Sequence, residues 1–246
     1  MRSVRTTFQV IEAVADHQPV GLSELARKMD LPKSTVQRSL ATLAELGWIR
    51  PEAPESTRWT LGDRVRALSE KVDDVGFLRE AALPALASLN DQTSETVHLA
   101  VAEARTMRLI ERRDSKHPLR FVQPIGIRSP MHATSTGKSV LAFYPDLEID
   151  AYLDGGLTEV TAHTITNPTE MRAELKAVRE RGYAIAQEEL LDGVVSIAAS
   201  IRSTSGRPIA AISISGPASR LSQDVFARYG KLVTTAAAET SDRLRH

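Results

Sequence analysis

The chain has 246 residues, 42% hydrophobic and 25% charged, which suits two small globular domains or one large one. Lys plus Arg and Asp plus Glu both number 31, so a uniformly basic surface is excluded and any nucleic-acid face has to be local. Cysteine is absent, which removes disulfides, thiolate metal sites and a cysteine nucleophile, and no apolar run approaches the ~18 residues needed to span a bilayer. The N-terminus enters an amphipathic pattern rather than a signal-peptide apolar segment, so a cytoplasmic protein without a membrane partner is expected.

Val4, Phe8, Ile11 and Val14 recur at helical spacing and predict a first amphipathic helix, broken by His17-Gln18-Pro19-Val20-Gly21. A second helix carries Leu22, Leu25, Ala26 and Met29 on one face. After a very short turn at Asp30-Leu31, Pro32 suits the first position of a third helix, which runs to about Leu46 and stops at Gly47. Its core face is Val36, Leu40 and Leu43; Ser34, Arg38, Ala41 and Glu45 lie opposite, with Gln37 at the edge.

Two short helices joined by so tight a turn form a helix-turn-helix. The first turns of the third helix offer Lys33, Ser34, Thr35, Gln37 and Arg38 to a major groove. Arg and Lys suit guanine, Gln suits adenine, and Ser, Thr and Lys also suit phosphates. Trp48-Ile49-Arg50 and Arg58-Trp59-Thr60-Leu61 predict a hairpin, the wing, with Arg58 as a phosphate or minor-groove contact. A plain three-helix bundle with a solvated basic face would show the same periodicity. The ordered set of tight turn, polar third helix, glycine stop and wing favours DNA.

The stretch from Leu22 to Arg50, LSELARKMDLPKSTVQRSLATLAELGWIR, resembles the DNA-binding domain of the IclR family of bacterial transcriptional regulators. The resemblance implies a winged-helix dimer bound to a pseudo-palindromic operator in double-stranded DNA.

Val65, Leu68 and Val72, among Arg64, Arg66, Glu70, Lys71 and Asp73, predict a charged connecting helix over 63–78. A further helical stretch holds Leu78, Leu86 and Leu89, with Pro84 starting or kinking a helix. Such a connector serves equally as a lever or as a plain linker. It divides the chain into a DNA-binding domain over 1–62, the connector over 63–78, and a larger domain over 79–246.

In that larger domain strands are predicted over 96–101, 107–112, 183–187, 194–201 and 209–215, with helices over 137–144, 169–181 and 224–240. This is an α+β layout with an antiparallel sheet. The turn Ser205-Gly206-Arg207-Pro208 makes a hairpin of its two flanking strands. Along the first, Val195, Ile197 and Ile201 alternate with Ser196, Ala198 and Ser200; along the second, Ile212 and Ile214 alternate with Ala211, Ser213 and Ser215. The bulky face packs a core. The small, hydroxyl-bearing face lines a pocket, or else meets solvent or a close-packed helix.

Met131-His132-Ala133-Thr134-Ser135-Thr136-Gly137 precedes the helix holding Val140 and Leu141, and amides plus hydroxyls at such a position favour an anion. Gly137-Lys138-Ser139 is not a P-loop, because His132 stands where the first glycine is required.

The resemblance extends over nearly the whole chain. PMHATSTGKSVLA (130–142), RGYAIAQEE (181–189) and AISISGPASRL (211–221) are similar to hallmarks of the same family. It implies a GAF-like effector domain that binds small organic acids or related metabolites, in a homodimer or a dimer of dimers, without a cofactor. In the family's best-understood form the effector is held by a loop, an Asp, a Cys and two Ser. Here the loop positions are Ser135 and Thr136, the two serines Ser213 and Ser215, the Cys position Ser196 and the Asp position Ala186. Losing that acid argues against a glyoxylate- or pyruvate-like ligand and for a carboxylate with a hydrophobic body, aromatic acids included.

The six histidines are dispersed and form no HxH or HExxH pair, so no metal site is expected. His98 reads better as a structural histidine than as a pocket group, and Arg128 as a salt-bridge partner. Glu188 and Glu189, adjacent on a strand, would point to opposite faces. No catalytic residue is expected; the rival reading, a small-molecule-processing enzyme using the C-terminal pocket, needs a base beside Ser196, Ser213 or Ser215.

Overall fold

The computed structural model describes residues 2–69 and 74–245, and the chain divides into two compact units, Met1–Asp73 and Asp74–His246. The division falls inside the stretch read as a connector. The first unit holds helices α1 (Arg2–His17), α2 (Leu22–Lys28), α3 (Lys33–Glu45) and α4 (Asp63–Ser69), and strands β1 (Val20–Gly21), β2 (Ile49–Pro51) and β3 (Arg58–Leu61). The strands form an antiparallel sheet in the order β1-β3-β2.

The apolar periodicity of α2 and α3 closes this unit. Leu25 of α2 shares one buried cluster with Val10 and Val14 of α1 and Val36, Leu40 and Leu43 of α3. Pro32 is the N-cap residue rather than the first helical one, and Leu46 caps the C-terminus. Gly47 follows with φ +74, a left-handed conformation that glycine adopts without steric cost.

Two features differ from expectation. Val20-Gly21, read as a helix break, adds a short strand to the wing. Val4 and Phe8 are 61% and 62% exposed, whereas Val10 and Val14 are fully buried. At 100° per residue these pairs lie on separate stripes of α1, so the helix has two apolar edges and the unit uses one.

The second unit comprises α5 (Asp74–Thr93), β4 (Thr96–Glu103), β5 (Thr106–Arg113), β6 (Arg128–Pro130), a 3-10 turn (Met131–Ala133), α6 (Ser135–Leu141), α7 (Asp146–Asp154), α8 (Pro168–Arg181), β7 (Ala184–Gln187), β8 (Val194–Arg202), β9 (Pro208–Pro217) and α9 (Gln223–Arg243). One six-stranded antiparallel sheet runs in the order β6-β5-β4-β9-β8-β7. Strand β6 and helix α7 have no counterpart in the sequence reading. Pro84 sits inside α5. The expected connector over 63–78 contains α4 and the start of α5, while Glu70, Lys71, Val72 and Asp73 lie outside the described residues. Among the described residues no helix is long and apolar enough to cross a membrane.

The sheet is covered on both faces, and side-chain size decides which helices cover which face. Ile197, Ile201, Ile212 and Ile214, with Val97 and Leu99, meet α5 and α9. Ala100, Ala184 and Ala211, with Met107, share a core with α6, α7 and α8. The register places Ala186, Ser196, Ser215 and Thr96 in one cross-strand row and Ala184, Ala198, Ser213 and His98 in the next. Small residues therefore stack beside small ones across β7, β8 and β9, and His98 of β4 ends the second row.

Ile212 is fully buried on the central strand β9. Ile212→Ala is expected to lower unfolding stability by about 2–5 kcal/mol, through lost burial and the cavity left behind. A denaturant titration monitored by circular dichroism checks this; a loss well under 1 kcal/mol would contradict the central placement of β9.

Candidate functional sites

On the first unit, α3 turns its polar residues outward. Lys33, Ser34, Gln37 and Arg38 are exposed and Thr35 is half-buried, while Val36, Leu40 and Leu43 face inward. Arg38 Nε donates to Ser34 O at 3.4 Å, within its own helix. Among the described residues neither Lys33 nor Arg38 has a carboxylate partner. The face thus presents two cations, an amide and hydroxyls on a rigid element, the equipment for base and phosphate contacts.

Arg58 has a different occupation. Its Nε and Nη2 donate to Pro19 O at 3.0 and 2.5 Å, and its Nη2 lies 3.4 Å from Glu24 Oε2. The side chain fastens β3 to the segment entering β1 and α2 through Nε and Nη2, and it stays about half exposed.

On the second unit, a cavity lies between the small face of the sheet, the start of α6 and the segment leading into β6. It has about 420 Å³ of empty space, part of it open to solvent. Its polar lining is His98, Gln123, Ser129, Thr134, Ser135, Thr136, Ser196, Ser213 and Ser215; its apolar lining is Ala100, Met107, Leu109, Phe121, Ile127 and Leu190. No charged side chain lines it. Of the residues singled out from sequence, Ser135, Thr136, Ser196, Ser213 and Ser215 are brought together there. Ala186 pairs with Ser196 across β7 and β8 and is buried, but it is not part of the lining.

The local chain explains how these groups are held. Thr134 caps α6, its hydroxyl accepting from Gly137 N at 3.0 Å. Ser135 and Thr136 consequently occupy the first turn of α6 instead of a loop. A Cβ on Gly137 would stand 2.2 Å from Met131 O, so only glycine lets the helix pass this close to the preceding 3-10 turn. Ser135 Oγ donates to Ser196 Oγ at 2.8 Å, joining α6 to β8.

Behind this turn, Lys138 is 1% exposed, and its Nζ lies 2.7 and 3.0 Å from the Glu189 carboxylate and 3.3 Å from Glu174. Burial pushes the Glu189 carboxyl up, and the Lys138 ammonium pulls it back down. Glu188 and Glu189 lie beyond the end of β7 instead of on it; Glu188 has φ +60 and accepts from Gly193 N at 2.7 Å.

The remaining wall is the irregular segment over 114–127, which the sequence reading passed over. Phe121, Gln123 and Ile127 face the cavity from it. Thr96 Oγ1 donates to Phe121 O at 2.9 Å, Arg112 to Gln123 O, and Arg220 Nη2 to Leu119 O at 2.9 Å. Arg220 in turn forms a two-pronged pair with buried Glu95, at 2.6 and 2.8 Å. The signal available was five apolar residues, Leu119, Phe121, Val122, Ile125 and Ile127, in a stretch without strand or helix periodicity.

His98 corrects the sequence reading, since it lines the cavity. Its Nδ1 is 3.3 Å from Ser215 Oγ and its ring meets Phe121 edge-on at 5.8 Å. Burial, helped by the nearby Arg112 charge and opposed by Asp114, pulls the imidazole down from 6.5 to about 4. The Ser215–His98 contact is the one arrangement in the cavity that bears on hydrolytic chemistry. A histidine of such low basicity is a weak general base, and its Nε2 has no carboxylate to orient it. Arg128 pairs with Glu103 at 2.9 Å and His132 bonds Tyr152 Oη and Thr158 O, both at 2.9 Å, and neither lines the cavity.

Comparison with known proteins agrees with this layout. The model described as the IclR helix-turn-helix domain matches residues 3–53, and that of the bacterial transcriptional regulator IclR C-terminal domain matches residues 72–242. The HTH-type transcriptional regulator KdgR of Dickeya chrysanthemi is 32% identical over 244 residues, covering 98% of this chain and 79% of that protein. The crystal structure of the Thermotoga maritima IclR superposes with a TM-score of 0.65 at 26% identity, over 100% of both chains. An IclR homolog from Microbacterium hydrocarbonoxydans, crystallised in complex with 4-hydroxybenzoate, superposes with a TM-score of 0.64 at 25% identity over 99% of both chains.

The low basicity of His98 has a measurable consequence. Unfolded, the imidazole titrates near 6.5; folded, near 4. Between those values the unfolded chain holds the extra proton, so stability is complete above pH 6.5 and falls as pH drops toward 4. The size is about 3 kcal/mol. Denaturant midpoints from pH 7 to 4 are expected to show this decline, reduced in His98→Gln; an equal slope in that variant would contradict the assignment.

Proposed function

We propose that this chain, which belongs to the IclR family of bacterial transcriptional regulators, reads operator DNA with α3 and changes its grip when a monocarboxylic acid with a hydrophobic body enters the C-terminal cavity. The family's named relatives are regulators, and the chain is a regulator rather than an enzyme. On the DNA side the reading draws on the outward Lys33, Ser34, Thr35, Gln37 and Arg38; Arg58, bound to Pro19 O and Glu24, contributes by holding the wing. Double-stranded DNA in the cytoplasm is the partner.

The observation that carries the effector reading is the uncharged cavity lining, hydroxyls at one side and Met107, Leu109, Phe121 and Ile127 at the other. A single carboxylate can be met there by the Ser and Thr hydroxyls of the lining. A second carboxylate would be buried without a counter-charge. The 4-hydroxybenzoate complex of the Microbacterium protein supports an aromatic acid as the type of molecule.

The active species in this reading is a homodimer, or a pair of dimers. The unpartnered stripe of Val4 and Phe8 on α1 supports self-association, since an apolar edge gains by pairing with its own copy across a two-fold axis. A dimer places two recognition helices on half-sites about one helical turn (~34 Å) apart. The acid alters DNA affinity by binding one arrangement of the dimer better than the other.

Arg38→Ala is expected to weaken binding to neighbouring promoter DNA by about 1–3 kcal/mol while acid binding stays unchanged. Fluorescence anisotropy at fixed salt, alongside calorimetry with the acid, measures both. Unchanged DNA affinity in Arg38→Ala would move α3 from base reading to protein contact.

A further inference from the structure

The inference rests on the cavity being the effector site and concerns what the effector carries besides its carboxylate. His98 is 4% exposed, and its Nε2 is the buried side-chain atom without a hydrogen-bond partner among the described residues. A buried polar nitrogen is normally satisfied, and a native exception calls for an explanation such as a missing ligand. The rest of the ring is accounted for: Nδ1 faces Ser215 Oγ at 3.3 Å, and the ring meets Phe121.

We propose that His98 determines effector specificity, its Nε2 hydrogen-bonding an uncharged oxygen, a hydroxyl or a keto group, on an acid whose carboxylate lies at the Ser135–Ser196 end of the cavity. The ring is neutral at physiological pH, so it offers no charge to a carboxylate. With Nδ1 accepting from Ser215, Nε2 carries the proton and donates; with the other tautomer it accepts. A hydroxyl matches both cases, and a keto oxygen the first.

The sheet register separates the two ends. Ser196 lies on β8 and His98 on β4, with Ser213 and Ser215 of β9 between them. Two strand spacings amount to about 10 Å between backbones. Met107, Leu109 and Phe121 supply apolar surface for the body of the molecule. The site therefore recognises a molecule with two polar ends and an apolar middle.

Calorimetry with benzoate, 3-hydroxybenzoate and 4-hydroxybenzoate on the full-length wild type, His98→Phe and His98→Gln tests this. The wild type is expected to bind at least one hydroxybenzoate about tenfold or more tightly than benzoate. In His98→Phe, which keeps an aromatic ring against Phe121, that margin between hydroxybenzoate and benzoate disappears; His98→Gln restores part of it. A wild type indifferent to the hydroxyl, or a margin that survives in His98→Phe, overturns the role of His98 and leaves the cavity as the effector site, since benzoate still binds. Failure of all three acids to bind the wild type overturns the effector reading and this inference with it. The imidazole 15N signals of the wild type give a readout independent of the variants' folding: Nε2 shifts with the hydroxybenzoate and not with benzoate, and identical responses to both count against the proposal.

Discussion

The second unit is governed by a difference in side-chain size between the two faces of β8 and β9. Isoleucines on one face dictate a packed core against α5 and α9. Alanines and serines on the other cannot reach far enough to fill the space under α6. Because a strand alternates strictly, the same residues that build the core on one side leave room on the other. The cavity is thus a by-product of register, and a slip by one residue would place isoleucines in it and serines in the core.

Keeping such a space open needs rigid walls, and the walls are polar. Lys138 is tied to Glu189 and Glu174 behind the first turn of α6. Glu95 and Arg220 anchor the segment carrying Phe121, with Thr96 and Arg112 holding its carbonyls. Buried pairs of this type are weak sources of net stability, but losing one partner strands a charge in the interior. Their service here is positional: they fix α6 and the 114–127 segment around the small face, and Gly137 lets α6 approach the 3-10 turn.

Much of this was legible from sequence. Helical patterns located α2, α3, α8 and α9, and the alternation of Ile and Ser along 194–201 and 209–215 separates a bulky face from a small, hydroxyl-bearing one, with a pocket among the readings it leaves open. What stayed hidden depends on tertiary neighbours. Val4 and Phe8 share helical spacing with Ile11, and spacing cannot say which of two adjacent stripes the domain buries. The contacts of Arg58 with Pro19 O and Glu24 join residues distant in sequence, so local pattern does not reveal them. His98 could be placed on a strand, yet its isolation from any partner at Nε2 appears only once β4, β9 and the 114–127 segment are assembled. That segment has no periodicity to detect, since backbone carbonyls rather than a buried stripe hold it.

Regulation in this protein would couple the exposed polar face of α3 to the cavity of the other unit, with the molecule that alters DNA binding received beside Ser213. Ser213 is 2% exposed and sits between Ala198 and His98 in the sheet. Replacing it with valine exchanges the hydroxyl for methyl groups and takes up part of that space. The most direct measurement is the affinity for promoter DNA, with and without saturating hydroxybenzoate, in the wild type and in Ser213→Val. The account predicts that the acid shifts the wild-type affinity and that Ser213→Val binds DNA normally but no longer responds. A variant as responsive as the wild type would contradict it.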